Sequence, residues 1–288
     1  MKRLLFSLML GLGVMSLSSF YLVDNFFNED VSCKEVIRQM FAAIKEANTL
    51  RYKINASERV EGKIISAHSE IKLQEKPRKL YLKNPDSGVE VLWTEGNKGD
   101  MALVNPNRFP YINLDLDPYG SLMRSKQHHT IHELGFAFIG KIIATTILKD
   151  PAHVSQSFSC TEIKWKEKNC YCLIADFSST YKYFEYTVGK KESVSSIADK
   201  FGIPDFKIRS KNDLKTYYGD IKEGKKLLIP TFYSKKTIVY IDKEQKLPIY
   251  IEAHDDEGLY ESYDFSEIKV NSSISDQEFT KSYKDYHF

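Results

Sequence analysis

The chain of 288 residues carries 41 basic against 39 acidic side chains, a formal net charge of +2, which is too small an excess for non-specific nucleic-acid binding and removes nucleic acid from the expected partners. Its length suits one large domain and one small one. Hydrophobic residues make up 42%, with 18 Tyr and 17 Phe but only 14 Gly and 9 Pro, so the composition is that of a folded chain rich in strand-forming aromatics, with disorder expected only at the ends.

Lys2 and Arg3 precede an uncharged apolar run from Leu4 to Leu17. The run fits a signal-peptide core better than a membrane span of about 20 residues, and Ser16 and Ser18 are small enough to be the −3 and −1 residues of a cleavage site before Ser19. Residues 1–23 are therefore read as a signal peptide. Phe20 to Val23 prolong the apolar stretch, so an uncleaved N-terminal anchor, the one membrane contact considered, stays as the alternative. Either outcome places the folded part outside the cytoplasm, in the periplasm or cell envelope. Asp30-Val31-Ser32 are too polar to make Cys33 a lipidation site. In an oxidising compartment Cys33, Cys160, Cys170 and Cys172 are candidates for disulfides. Cys170 and Cys172 share one face of a strand, which suits bonds to other partners better than to each other. The pairing stays open.

An amphipathic helix is expected from Val31 towards Leu50, because Val36, Met40, Ala43, Ile44 and Ala47 recur at helical spacing and Ser32 or Asp30 can cap it. From Leu50 the pattern becomes short alternating runs: Leu50 to Ala56, Lys63 to Leu73, Lys79 to Lys83, Glu90 to Thr94 and Asp100 to Val104. Turn residues separate them, which describes an antiparallel meander with one face to be covered. Thr130 to Leu148 is read as a deeply buried helix through Ile131, Leu134, Phe136, Ala137, Ile139, Ile142, Ile143 and Ile147. Strands resume over Ser155 to Lys166 and Cys170 to Phe177, then again over Lys236 to Ile241, Leu247 to Ala253 and Leu259 to Val270. Residues 184–232 between them follow a different pattern and read as an insertion.

Within that insertion stand Tyr186-Thr187-Val188, Ser193-Val194-Ser195-Ser196-Ile197-Ala198-Asp199-Lys200-Phe201-Gly202-Ile203, Asn212-Asp213-Leu214 and Ile221-Lys222-Glu223-Gly224-Lys225-Lys226-Leu227-Leu228-Ile229-Pro230. Apolar residues at Val194, Ile197, Ala198 and Phe201 give a first helix, a second short one lies near Ile208, and a strand ends at Pro230, a βααβ order. The segment resembles the LysM family. That resemblance implies a shallow groove for N-acetylglucosamine-containing glycans, formed by Lys191, Glu192, Ser193 and Val194 on one side and Asn212, Leu214, Lys215 and Ile221 on the other, with peptidoglycan as partner. LysM modules usually place Gly-Asp before the Ser/Thr, whereas Lys191-Glu192 stand here, so a turn that favours glycine has to be made differently. A degenerate module kept as a spacer or protein contact, in a periplasmic lipid or lipoprotein carrier or sensor, is the alternative.

Residues 30–183 and 233–288 form the host of this insertion. Their helix-first, long-meander order, with Tyr240-Ile241-Asp242, Leu247-Pro248-Ile249, Gly258 to Phe265 and Ser275 to Phe279, resembles the LolA/LppX-like envelope carriers and a related uncharacterised bacterial family. The resemblance implies an α+β fold in which a curved antiparallel sheet, a half-barrel, wraps helices and leaves an apolar cavity for a lipid or lipoprotein. Phe136, Ile139, Ile143 and Ile147 are the candidate cavity residues, and apolar periodicity does not separate a cavity from a filled core.

His128 and His132 lie four apart, as helical metal ligands do, but no Glu follows the first histidine as a zinc peptidase requires, so a polar helix entrance is the expectation and no metal is assigned. Asp255-Asp256-Glu257 before Gly258 reads as a turn in which acids satisfy backbone N–H groups rather than as a calcium loop. No nucleophile elbow, phosphate loop or dinucleotide fingerprint occurs, no cofactor is expected, and the chain is read as a non-enzymatic binding protein. Paired carboxylates for glycan hydrolysis leave no local mark, so a wall-modifying hydrolase stays open.

Overall fold

The structure, a computed structural model, describes residues 31–109, 111–124, 126–151, 153–214 and 221–288. The expected export segment, residues 1–23, and the groove residue Lys215 lie outside the described residues.

The meander forms as its alternation dictates. Strands β1 (Thr49–Val60), β2 (Lys63–Glu75), β3 (Arg78–Lys83), β4 (Glu90–Thr94), β5 (Ala102–Asn105) and β6 (Leu114–Leu116) run out from β1 in chain order. On its other side lie β13 (Gly258–Val270), β12 (Pro248–Asp255), β11 (Lys236–Asp242), β8 (Lys168–Asp176) and β7 (Phe158–Trp165). All eleven strands are antiparallel to their neighbours, and the two ends, β6 and β7, do not pair with each other, so the sheet stays open rather than closing into a barrel. The fold is α+β. The β7–β8 hairpin turns through Lys166 and Glu167, both left-handed (φ 46° and 65°), the backbone that a two-residue turn requires to match strand twist. Asp255 behaves as the turn reading expects, its Oδ1 accepting the Glu257 N–H at 2.9 Å between β12 and β13.

Helix α1 (Val31–Glu46) lays Ile37, Met40, Phe41 and Ile44 on the inner face of the sheet, the three-and-four spacing placing them on one stripe. There they meet Leu50, Tyr52, Leu73, Trp93, Val239 and Phe265 in the main core, where each fully buried large side chain contributes about 1.5–3 kcal/mol. Between β6 and the next long helix lies a single helical turn, α2 (Ser121–Arg124). The helix expected to begin at Thr130 is divided: a 3₁₀ turn covers Ile131–Glu133, and α3 starts at Ala137 and ends at Lys149. The reason is Gly135, which takes φ 94° and passes so near Leu73 that a Cβ there would stand 2.7 Å from its Cδ2. A short helix, α4 (Val154–Ser157), leads into β7. A disulfide joins Cys33 of α1 to Cys160 of β7, Cα atoms 5.2 Å apart, while Cys170 and Cys172 are free and buried. Among the described residues no helix is long and apolar enough to cross a membrane.

The sheet neighbours β8 and β11 are separated in sequence by a small unit with its own two-stranded sheet. Strand β9 (Tyr183–Thr187) pairs antiparallel with β10 (Lys226–Pro230), from Thr187 opposite Lys226 to Tyr183 opposite Pro230. Helices α5 (Val194–Phe201) and α6 (Asp205–Lys211) lie between them in sequence, and Val188, Val194, Ile197, Ile208, Ile221, Leu227 and Ile229 form a separate core.

Candidate functional site

The two loops expected to form the glycan groove are adjacent: the Ile221 N–H donates to the Glu192 carbonyl at 2.9 Å, and Val188 and Gly224 are tied at 2.9 Å behind them. Ser193 caps α5, its hydroxyl accepting from the Ser196 N–H at 3.1 Å. Lys191 adopts φ 58°, the left-handed backbone a glycine would take freely, so the turn keeps its shape despite the lysine. Glu192 braces that turn. Its carboxylate accepts from the Gly189 N–H at 2.8 Å and the Tyr186 hydroxyl at 2.7 Å, with Lys200 3.4 Å away, and the Gly189 N–H, Tyr186 and Lys200 together hold its carboxyl below the usual range. Replacing Lys191 by Gly removes the backbone strain, and we expect stability to rise by a few tenths to about 1 kcal/mol, read as a higher urea midpoint at unchanged slope.

The remaining groove residues divide by role. Val194 and Ile221 are buried in the core of the small unit, and Leu214 packs partly against it. Asn212 is a clasp: its side chain donates to the carbonyls of Ile208 and Leu228, both at 2.8 Å, and accepts from the Leu228 N–H at 2.7 Å. Of the described groove side chains only Lys191 is exposed, while Glu192, Ser193, Asn212 and Leu214 are half-buried.

Of the residues expected to line a lipid cavity, Phe136, Ile139, Ile143 and Ile147 are all buried. Phe136 lies just before α3, wedged between Tyr52 and Phe265 with ring centroids 5.9 and 5.2 Å away. A pocket beside α3, lined by Ile143 with Phe158, Leu173, Phe177 and Val239, has a volume of about 20 Å³, room for roughly one water.

Sequence reading missed a second cluster, where the small unit rests on the large sheet. Helix α6 presents Asp205, Phe206, Lys207 and Arg209, all buried. Phe206 packs with Val60 and Tyr260, and its ring centroid lies 4.4 Å from that of His128. Lys207 donates to the Tyr233 carbonyl at 2.8 Å, stands 3.6 Å from Asp255 and 4.1 Å above the Tyr260 ring, and burial pushes its ammonium down to about 8. Asp205 pairs with Arg124 of α2 and stands 3.5 Å from Arg209. From sequence only a short helix is expected near Ile208, and nothing local betrays that the partners of its charged residues lie far away in the chain.

Beneath Phe206 the histidines part company. His132 turns to Tyr119 and Trp93, with ring centroids 4.9 and 4.7 Å away, and does not join His128. His128 Nδ1 lies 2.8 Å and His129 Nε2 3.2 Å from Glu261 Oε2, and the Tyr233 hydroxyl donates to the same carboxylate. Burial by itself would raise Glu261, but His129 and His128 outweigh it and hold its carboxyl well below the usual range. Glu58, His128 and Glu261 each offer a ligand atom, all within 4.8 Å of one another.

Comparison with known proteins gives matches to two families and to several solved structures. Residues 186–230 match the family described as LysM domain. No curated protein matches the chain. Solved structures similar to it include a LolA superfamily protein from Nitrosomonas europaea, at 9% identity over 88% of this chain and 99% of that one with a TM-score of 0.33. Another is the Mycobacterium tuberculosis lipoprotein LppX, at 12% identity over 86% and 99% with a TM-score of 0.38. A third is a DUF1329 family protein from Desulfovibrio piger, at 11% over 87% and 98% with a TM-score of 0.34. Residues 48–193 and 226–288 match the family described as protein of unknown function, DUF1571, and since these segments make up well over half of the sequence, the chain belongs to the DUF1571 family.

Proposed function

We propose that this is an exported, non-enzymatic cell-envelope protein that holds N-acetylglucosamine-containing glycan strands of peptidoglycan in the groove of its LysM module. On this reading residues 184–232 are the module, and residues 30–183 with 233–288 are the host that it anchors to the wall. The observation that supports it is the hydrogen bond from the Ile221 N–H to the Glu192 carbonyl, which brings described parts of the two loops together, with Lys191 in a left-handed turn. A lipid-handling role for the host draws no support from the pocket beside α3, which has room for roughly one water, so an acyl chain would have to open the core there.

Co-sedimentation with purified peptidoglycan tests the reading. Charge reversal at exposed Lys191 combined with Leu214→Glu should lower the bound fraction at least about tenfold, a loss of about 1.4 kcal/mol or more, while the circular dichroism spectrum stays unchanged. If the native chain does not sediment with peptidoglycan, or if the double variant sediments as well as native, the groove is not the glycan site.

A further inference from the structure

Strands β1 and β13 pair so that Glu58 stands directly opposite Glu261, which puts two carboxylates side by side. Like charges opposite each other destabilise an antiparallel pair, and Glu261 is 2% exposed, so solvent does not screen it. His129, whose Nε2 lies 3.2 Å from Glu261 Oε2, and the Tyr233 and Tyr263 hydroxyls offset part of that charge, and a metal ion shared by both carboxylates would offset the rest.

The orientation of His128 indicates what kind. Its Nε2 lies 3.0 Å from the Arg59 carbonyl, and since a carbonyl only accepts, Nε2 carries the hydrogen. Its other nitrogen, Nδ1, faces Glu261 Oε2 at 2.8 Å. Donation of one ring N–H to a backbone carbonyl, with the other nitrogen turned to a pair of carboxylates, is how protein chains orient an imidazole that binds a metal. The carboxylates are held in turn: Glu58 accepts the His128 backbone N–H at 2.9 Å and the Tyr263 hydroxyl at 2.6 Å, and Tyr263 also reaches Glu261 at 3.1 Å.

We infer that Glu58, His128 and Glu261 form a binding site for a divalent transition-metal ion of the zinc class, which staples strands β1 and β13 to the loop before Ile131. One nitrogen and two carboxylate oxygens within 4.8 Å of one another close around an ion at about 2.0–2.2 Å with small side-chain rotations. The imidazole ligand selects such ions over magnesium or calcium, whose sites are built from oxygen. The His128 ring is sandwiched by Tyr260 and Phe206, with centroids at 4.1 and 4.4 Å. The ion therefore fixes the seat on which α6 of the LysM module rests, and its part is structural. This inference does not depend on glycan binding.

The test uses the full exported chain, stripped with EDTA and then titrated with zinc, manganese and cobalt chlorides. One ion per chain is expected, with a Kd for zinc below about 1 µM, a melting temperature that rises on loading, and visible cobalt absorption showing nitrogen and oxygen ligands without thiolate. Glu58→Gln keeps the size and hydrogen-bonding capacity of the side chain and should weaken binding by about 100-fold or more, leaving the melting temperature of the stripped protein close to that of the stripped native chain. His128→Asn serves as the second variant. Less than a tenth of an equivalent bound, with no change in melting temperature on adding metal or EDTA, would overturn the site and leave hydrogen bonds from His128, His129 and Tyr263 as what holds the two carboxylates. Binding that survives both substitutions, or cobalt spectra with thiolate bands from Cys170 or Cys172, overturns it equally.

Discussion

Breaking the Cys33–Cys160 disulfide should lower the stability of the chain by about 2–5 kcal/mol. The bond closes a loop across a sequence separation of 127 residues, so the chain-entropy account sets a ceiling near 5 kcal/mol. It also ties α1, which covers the inner face of the sheet, to β7, which carries an open edge. Removing it frees the helix to leave the core. Urea unfolding of Cys33→Ser/Cys160→Ser beside the native chain measures the loss. In denaturant without reductant, thiol titration of the native chain should find two of the four cysteines free, Cys170 and Cys172. Burial pushes both of these thiols up, so labelling them should require unfolding. Four reactive thiols in the native protein, or a loss of stability under about 1 kcal/mol, would show that the bond is not part of the native state.

Asp205→Ala should cost about 3–5 kcal/mol, the effect of removing one member of a buried charge cluster and leaving the rest. Asp205 stands between Arg124 of α2 and Arg209 of α6, and accepts from the Ser195 hydroxyl at 3.3 Å. The side chains of Arg124, Asp205 and Arg209 are 6%, 7% and 2% exposed. The loss should appear at the junction first: hydrogen exchange in α6 and around Tyr260 should quicken before the strands of the large sheet are affected. Asp205→Asn, which keeps the shape but not the charge, should fall between native and Ala. A cost below about 1 kcal/mol would mean that the two guanidinium groups reach solvent and that the LysM module is not seated through this cluster. If the module is seated as described, cutting out residues 184–232 exposes Val60, Tyr260 and Asp255 on the host, so the module is less separable than its own closed core suggests.

Local pattern settled much of this molecule. Alternation from Leu50 to Val104 and from Lys236 to Val270 gave the strands, because a half-buried sheet imposes a period of two on every strand. The run from Tyr186 to Pro230 gave the βααβ order, because each cap, helix face and terminating proline acts within a few residues. Tertiary structure decided the rest. Gly135 ended one helix and delayed the next through its approach to Leu73, a contact between residues far apart in sequence. Which cysteines bond followed from where α1 crosses β7, and sequence left every pairing open. The charged positions of α6 became interior because Arg124, Tyr233 and Asp255 come to them from three other segments. Glu58 and Glu261 are opposite each other only once β1 has found β13. Burial and pairing of charge depend on which strands become neighbours, and that is set by the whole chain's packing rather than by any window of it.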